Sequence, residues 1–178
     1  MTKLNRPKQT NRESTPPPPD REPGLVLYAL DRYAHDLVIE RRFLSLSTNE
    51  EENRKSKNQV FNEVFKMRST VAFGLERFWG EPLRLKGKQE DDGENKNKKI
   101  ESEKSKYWGD TWGKFREIME SCDMSLPKSS LDVPESKIQE TVTELWNNSE
   151  KKREERKVAI AILTELCDRM IWWTQRYK

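Results

Sequence analysis

The stretch from Asn58 to Trp79 has an apolar pattern that strongly restricts its secondary structure. Its apolar residues recur at steps of four and three, which is the spacing that places side chains on one face of an α-helix. These residues are Val60, Val64, Met67, Val71, Leu75 and Phe78. The stripe predicts one amphipathic helix, continuing through Gly74, whose apolar face belongs to the core. Gly80 and Pro82 follow directly and are typical of a helix end.

Four further segments show helical periodicity. They are residues 24–46, 106–122, 134–147 and 151–178. The last segment is apolar over a wide arc, which predicts the most buried helix of the fold. Thr48 or Asn49, in the polar connection after the first helix, is a suitable N-cap for the next helix. About five helices without a credible strand predict an all-α protein that folds as a compact helical bundle.

The remaining segments are polar. Residues 1–22 form a basic, proline-rich tail for which we expect disorder, and residues 23–178 form a single helical-bundle domain. A second interpretation of the tail is a tether that orders against a neighbouring subunit or a phosphate backbone. Residues 86–106 mix lysines with acidic residues and hold almost no apolar side chains, so burial cannot offset the entropy cost of ordering them. We expect a long, flexible, charged loop there.

The composition argues against most catalytic functions. His35 is the only histidine, and no paired-carboxylate, Cys/His or glycine-rich phosphate motif is present, so we expect no enzyme activity, no metal and no cofactor. Cys122 and Cys167 lie on apolar helix faces, which predicts small buried side chains in a reducing compartment. The chain has no secretory signal pattern and no apolar run that fits a membrane span, so we expect a cytoplasmic protein.

Positive charge is concentrated in one part of the chain. Residues 54–86 contain eight basic and three acidic residues, a net charge of +5, whereas the whole chain has a net charge of +3. Cations without base-reading partners at fixed spacing suit contact with a phosphate backbone rather than recognition of a base sequence. Lys66, Arg68 and Arg77 lie off the apolar stripe and are the main candidates. The alternative is a solvated face without a ligand.

Two features indicate contact with another helix or protein. Gly109 and Gly113 lie one helical turn apart, and each costs about 1 kcal/mol of helix propensity relative to alanine. Close approach of another helix, within the bundle or from a second copy, would compensate for this cost. Trp172 lies on a different side of the last helix from Trp173, so it is the best candidate for an exposed aromatic residue at a protein interface. The spacing of the other tryptophans favours core packing.

The order of these elements resembles a known family, the small helical subunit of type III CRISPR effector complexes, especially the Cmr type. The resemblance covers roughly residues 24–178 and is carried by LYALDRYAHDL, FKMRSTVAFGLERFWGE, KYWGDTWGKFREIME and AIAILTELCDRMIWWTQRYK. The proline-rich tail, the insertion at 86–106 and an extra short helix at 135–147 depart from the family pattern. A small subunit of a type I or type III-D-like effector is the related alternative.

This resemblance implies a non-catalytic antiviral defence protein that packs along a CRISPR ribonucleoprotein complex, against the backbone subunits and further copies of itself. Its basic face would contact the phosphates of the RNA guide–target duplex, or of a displaced single strand, without sequence preference. The residues that match are Lys66, Arg68 and Arg77, with Arg32, Arg41, Arg42 and Arg84 as weaker companions. The alternative function is a helical protein–protein adaptor or scaffold module of phage or mobile-element type, without a nucleic-acid role, that binds protein through Trp172, Gly109 and Gly113.

Overall fold

The computed structural model describes residues 23–91, 95–147 and 149–178, which form a bundle of helices. No β-strand occurs in these ranges, so the prediction of an all-α fold is confirmed. The α-helices, in chain order, are α1 (Pro23–Arg42), α2 (Glu50–Phe61), α3 (Glu63–Val71), α4 (Leu75–Asp91), α5 (Asn95–Glu120), α6 (Ile138–Leu145) and α7 (Glu150–Tyr177). Two short 3-10 helices, Ser130–Asp132 and Glu135–Lys137, precede α6. The predicted tail at 1–22 lies outside the described residues.

The apolar stripe from Val60 to Phe78 is buried as predicted, and each of its six residues is at most 3% exposed. It is nevertheless divided among α2, α3 and α4, so the prediction of one continuous helix is wrong. Gly74 separates α3 from α4 and has a φ angle of +112°. Residues with a Cβ rarely adopt this conformation, which is why glycine occupies the position where the chain changes direction.

Gly80 and Pro82 do not end a helix, because α4 continues through both of them to Asp91. A proline inside a helix removes one hydrogen bond and costs about 3 kcal/mol. Trp79 and Leu85, on either side of Pro82, are at most 2% exposed. Burial of such large side chains contributes about 1.5–3 kcal/mol each, which is enough to keep the helix intact across the proline.

The expectation of a flexible loop at 86–106 is wrong for the residues that are described. Residues 86–91 belong to α4 and residues 95–106 belong to α5. Ile100 and Ser105 are buried, and the Ser105 hydroxyl donates a hydrogen bond to the Pro82 carbonyl oxygen at 2.8 Å. Packing of α5 against α4 therefore stabilises a segment whose own composition does not favour order.

The core is most aromatic where α4 crosses α5. The ring of Phe78 lies 4.8 Å from that of Trp108 and 6.2 Å from that of Trp112, measured between centroids. The indole N–H of Trp112 donates to the Pro127 carbonyl oxygen at 2.9 Å. Within the described residues α5 contributes more buried side chains than α7, so the expectation that the last helix is the most buried one is wrong.

Two of three side chains that were predicted or implied to be buried are exposed instead. Cys167 is buried as predicted, but Cys122 is exposed because α5 ends at Glu120 and Cys122 lies in the turn that follows. Trp146 is 56% exposed because α6 ends one residue before it. Both errors come from extending a helical period beyond the end of its helix.

Helix α1 runs parallel to α7. The imidazole Nε2 of His35 lies 2.9 Å from the Tyr177 hydroxyl, and the indole N–H of Trp173 donates to the Asp31 carboxylate at 3.3 Å. His35 follows Asp31 by one helical turn, as Tyr177 follows Trp173, so the two helices have the same direction. Their C-terminal ends therefore lie side by side.

Helix α3 packs on α7 in the opposite direction. The Lys178 ammonium group donates to the Asn62 amide oxygen at 2.6 Å, and the Arg68 guanidinium donates to the Asp168 carboxylate at 2.7 Å. The beginning of α3 therefore lies beside the end of α7. As a result, the C-terminal ends of α1 and α7 and the N-terminal end of α3 meet at one end of the bundle.

Candidate functional site

Several aromatic rings lie close to cations between the end of the bundle, where α1, α7 and α3 meet, and the start of α4. We call this surface the aromatic–basic track. Its members are Arg42, Phe43, Tyr177, Lys178, Phe65, Lys66, Phe73 and Arg77. Tyr177 is half-buried and the others are exposed. Three pairs of members are in contact: Arg42 with Tyr177, Lys178 with Phe65, and Arg77 with Phe73.

The first part of the track lies at the end of the bundle. The guanidinium carbon of Arg42 lies 5.4 Å from the centre of the Tyr177 ring, and the ammonium nitrogen of Lys178 lies 6.0 Å from the centre of the Phe65 ring. Phe43, next to Arg42, is 78% exposed. Among the described residues neither Arg42 nor Lys178 forms an ion pair with a carboxylate, so both charges are available to an anion.

The second part of the track follows α3. Phe65 lies on α3 and is 39% exposed, and Phe73 lies in the turn between α3 and α4 and is 61% exposed. Between them the Ser69 hydroxyl donates to the Phe65 carbonyl oxygen at 3.0 Å and so turns back onto its own helix. The guanidinium carbon of Arg77 lies 5.2 Å from the centre of the Phe73 ring. This part therefore repeats the pairing of one ring with one cation.

Lys66 lies on the track, but its charge is partly compensated. The side chain is 59% exposed, and its ammonium nitrogen lies 2.6 Å from the carboxylate of Glu63, one turn earlier in α3. Glu63 is fully buried, and it also accepts a hydrogen bond from the Trp108 indole N–H at 3.0 Å. Lys66 is thus held at the surface by a carboxylate that belongs to the core.

Four other predicted cations lie outside the track, and three of them are at least partly exposed. Arg32 is exposed on α1, 6.0 Å from the centre of the Tyr33 ring. Arg68 faces α7 and pairs with Asp168. Arg84 lies on α4, where hydrogen bonding by the Glu81 carboxylate raises the pKa of its guanidinium group. The ion pairs of Arg68 and Arg84 would have to open before either residue bound a phosphate, which reduces the gain from such contacts.

Arg41 is buried, so its inclusion among the candidates for phosphate contact at the surface is wrong. Its side chain is 3% exposed and forms an ion pair with Asp110 on α5. Its guanidinium carbon lies 4.8 Å from the centre of the buried Tyr107 ring. Burial raises the pKa of the Tyr107 phenol well above its ordinary value, despite the opposing effect of Arg41. Arg41 therefore connects α1 to α5 inside the fold.

The two glycines do not form the expected contact between helices. A Cβ atom at Gly109 would lie 2.9 Å from the Leu131 Cδ1 atom and 3.3 Å from the Ser129 hydroxyl oxygen. Gly109 thus permits close approach of the segment around the 3-10 helix Ser130–Asp132 of the same chain. A Cβ atom at Gly113 would meet nothing within 4 Å. A second copy of the chain is therefore not required to explain Gly109.

Trp172 is 46% exposed, so its predicted exposure is confirmed. The guanidinium carbon of Arg176 lies 3.0 Å from the centre of its ring, and Trp173 packs against it nearly at right angles, with 4.7 Å between the ring centres. Contact of Trp172 with a partner protein stays a prediction.

Sequence reasoning missed Phe43, Phe65, Phe73 and Lys178. A signal for Phe65 was present, because it lies on α3 off the buried stripe and the helical period therefore places it at the surface. No comparable signal existed for Lys178. Its position beside Phe65 depends on how α7 packs on α3, which the sequence pattern of either helix does not specify.

Among the residues described, no group of three or more His, Cys, Asp or Glu side chains is arranged to hold a metal ion. None of the helices within these ranges is long and apolar enough to cross a membrane. Comparisons with protein-family models, with curated proteins and with solved structures find no match to this chain. A functional assignment therefore depends on the aromatic–basic track and on the sequence resemblance described above.

Proposed function

We propose that this chain is a non-catalytic subunit that binds nucleic acid through the phosphate backbone, without preference for a base sequence. The observation that carries the proposal is the alignment of Arg42, Lys178, Lys66 and Arg77 along the track. Three of these cations lie beside an aromatic ring rather than a carboxylate. A phosphate can therefore bind them without first breaking an ion pair, and each contact releases counterions from the nucleic acid.

A more specific form of the proposal is the small subunit of a CRISPR effector complex, in the cytoplasm. It is supported by the resemblance of the four quoted segments and by the net charge of +5 in residues 54–86. In this form the track faces the guide–target duplex or a displaced strand. Other surfaces of the bundle pack against the backbone subunits of the complex and against further copies of the same chain.

The second candidate function is a helical adaptor that binds protein and not nucleic acid. The observation that favours it is the half-exposed indole of Trp172 with Arg176 on its face, because tryptophan and arginine are enriched at the centres of protein interfaces. Trp172 does not belong to the track as defined, so the two functions can be tested with separate variants.

The test of backbone binding is a titration of labelled RNA and DNA at several salt concentrations. We compare the native protein with Arg42→Ala/Arg77→Ala/Lys178→Ala. The matched control is Arg32→Ala/Arg84→Ala/Lys151→Ala, which removes the same charge outside the track. The logarithm of the binding constant should fall with the logarithm of the salt concentration by about 0.7–0.9 per phosphate contacted. The track variant should bind more weakly and with a slope smaller by about two to three.

Equal loss in the track and control variants, at unchanged helicity, would show that net charge rather than the track controls binding. Absence of binding at low salt would contradict the proposal and favour the adaptor. The CRISPR form has its own test, which is purification of the complex from the native host. Guide RNA and effector subunits should co-purify with the chain, and their absence by sequencing and mass spectrometry would contradict that form alone.

A further inference from the structure

We infer that the aromatic–basic track takes a single-stranded nucleic acid, whose bases stack on Phe65 and Phe73 while its phosphates lie against the neighbouring cations. The inference rests on the proposed nucleic-acid function and specifies which form of nucleic acid is bound. A backbone contact alone does not distinguish a duplex from a single strand.

The distribution of phenylalanine is the first observation. The chain contains six phenylalanines. Phe61, Phe78 and Phe115 are at most 2% exposed. The other three, which are Phe43, Phe65 and Phe73, are 39–78% exposed, and all three lie on the track. The fold therefore buries three of the phenylalanines and exposes the three that belong to the track.

The position of the cations is the second observation, and it favours a polyanion over an apolar protein partner. Each exposed phenylalanine has a cation beside it. Phe43 follows Arg42 in the sequence, Lys178 lies 6.0 Å from the Phe65 ring, and Arg77 lies 5.2 Å from the Phe73 ring. A nucleotide likewise carries an aromatic base close to a charged phosphate. Aromatic platforms within a basic groove are the usual means of binding single strands.

The accessibility of the rings is the third observation, and it favours a single strand over a duplex. Phe65 lies on α3 and is 39% exposed, and Phe73 lies in the turn after α3, which ends at Val71, and is 61% exposed. Neighbouring bases in each strand of a duplex are about 3.4 Å apart along the axis and cover one another's faces. An unpaired strand can separate its bases and stack them on exposed rings.

The test uses three oligonucleotides of equal length, which are an unstructured single strand, the corresponding duplex, and a single strand of abasic nucleotides. The abasic strand retains the phosphates and lacks the stacking groups. We compare the native protein with Phe65→Ala/Phe73→Ala, and with Trp146→Ala as the control. Trp146 is 56% exposed, like the two phenylalanines, but lies at the end of α6, outside the track.

The native protein should bind the single strand at least tenfold more tightly than the abasic strand, and more tightly than the duplex. The Phe65→Ala/Phe73→Ala variant should lose about tenfold or more in affinity for the base-containing strand. Its affinity for the abasic strand and the salt dependence of its binding should not change. Trp146→Ala should bind all three ligands as the native protein does.

Equal affinity for the abasic and base-containing strands, or preference for the duplex, would overturn the stacking inference and leave backbone binding in place. The same conclusion follows if removal of both phenylalanines has no effect. Failure to bind any of the three ligands would overturn both the inference and the proposed function. Loss of a co-purifying protein in the Phe65→Ala/Phe73→Ala variant, without nucleic-acid binding by the native chain, would instead identify the track as a protein interface.

Discussion

The indole N–H of Trp108 donates a hydrogen bond to the carboxylate of Glu63 at 3.0 Å, and both side chains are fully buried. A second oxygen of the same carboxylate lies 2.6 Å from the Lys66 ammonium group, which extends to the surface. One buried carboxylate therefore joins the aromatic core on α5 to a cation of the track on α3.

Glu63→Ala should lower the free energy of unfolding by about 1–3 kcal/mol, because the buried N–H of Trp108 loses its acceptor. Urea unfolding measures the change as a lower midpoint at an unchanged m-value. The control is Glu117→Ala, whose exposed carboxylate pairs with Lys114 at 2.6 Å and the same sequence separation. It should change stability by no more than about 0.5 kcal/mol. Equal midpoints for the two variants would contradict the role of Glu63.

The ion pair of Arg41 with Asp110 should respond asymmetrically to substitution. Asp110→Ala leaves a buried guanidinium with Glu40, at 3.6 Å, as its remaining carboxylate, and should cost about 3 kcal/mol. Arg41→Met replaces the buried charge with an apolar side chain of similar length and should cost less. The double variant should recover most of the loss caused by Asp110→Ala. Thermal or urea unfolding of the three variants checks this order. An Asp110→Ala variant as stable as the native protein would contradict it.

The two glycines of α5 should respond differently to alanine. Gly113→Ala should raise the free energy of unfolding by up to about 1 kcal/mol, because helix propensity improves and a Cβ atom there meets nothing within 4 Å. Gly109→Ala should bring none of this gain, because the new methyl group displaces Leu131 from a distance of 2.9 Å. Unfolding midpoints measure both effects. An equal gain in the free energy of unfolding at both positions would show that the segment around Leu131 moves aside without a measurable cost.

The two cysteines should react with thiol reagents at very different rates. Burial raises the pKa of the Cys167 thiol to about 12, and little thiolate forms at pH 8. Cys122 is exposed on the turn after α5. Mass spectrometry after brief alkylation should find one label, at Cys122, and a second label only after denaturation. The Cys122→Ser variant should take up no rapid label, and rapid labelling of Cys167 in that variant would contradict the packing of α7.

Stability should decline as pH rises above 9. The Cys167 thiol has an ordinary pKa of 9.0 and a folded pKa of about 12. Between these pH values the unfolded chain releases this proton while the folded chain retains it, so rising pH favours the unfolded state. The raised pKa of the buried Tyr107 phenol acts in the same direction above its ordinary value of 10.0. Urea midpoints measured from pH 8 to 11 check the decline, and Cys167→Ala should make it shallower. An unchanged slope in that variant would rule out the contribution of Cys167.

The helical period in the sequence predicted much of the core but not the path of the backbone. The stripe from Val60 to Phe78 is buried, and Asn49 caps α2 by accepting the Glu52 backbone N–H at 3.0 Å. The period of the stripe continues across Gly74, because Val71 and Leu75 are four residues apart in any conformation. A sequence pattern therefore cannot reveal that the chain turns there.

Features that depend on contacts between distant parts of the chain were not predictable from local pattern. The segment at 86–106 has few apolar residues, and its order depends on packing of α5 against α4, including burial of Ile100. Arg41 resembles a surface cation in the sequence, but its partner Asp110 lies 69 residues away. Likewise, Arg42, Lys66 and Arg77 were predicted as cations of a binding face, whereas the contact of Lys178 with the Phe65 ring depends on how α7 packs on α3.

Arg42, Phe65 and Lys178 lie at one end of the bundle and come from parts of the chain that are distant in the sequence. This arrangement has a thermodynamic consequence. A strand that crosses this point touches α1, α3 and α7 at once and acts as a noncovalent cross-link between them. Binding to the folded chain alone raises the free energy of unfolding by about 2.7 kcal/mol at a ligand concentration 100 times Kd. A rise in melting temperature with added oligonucleotide would therefore measure occupancy of the track without any label.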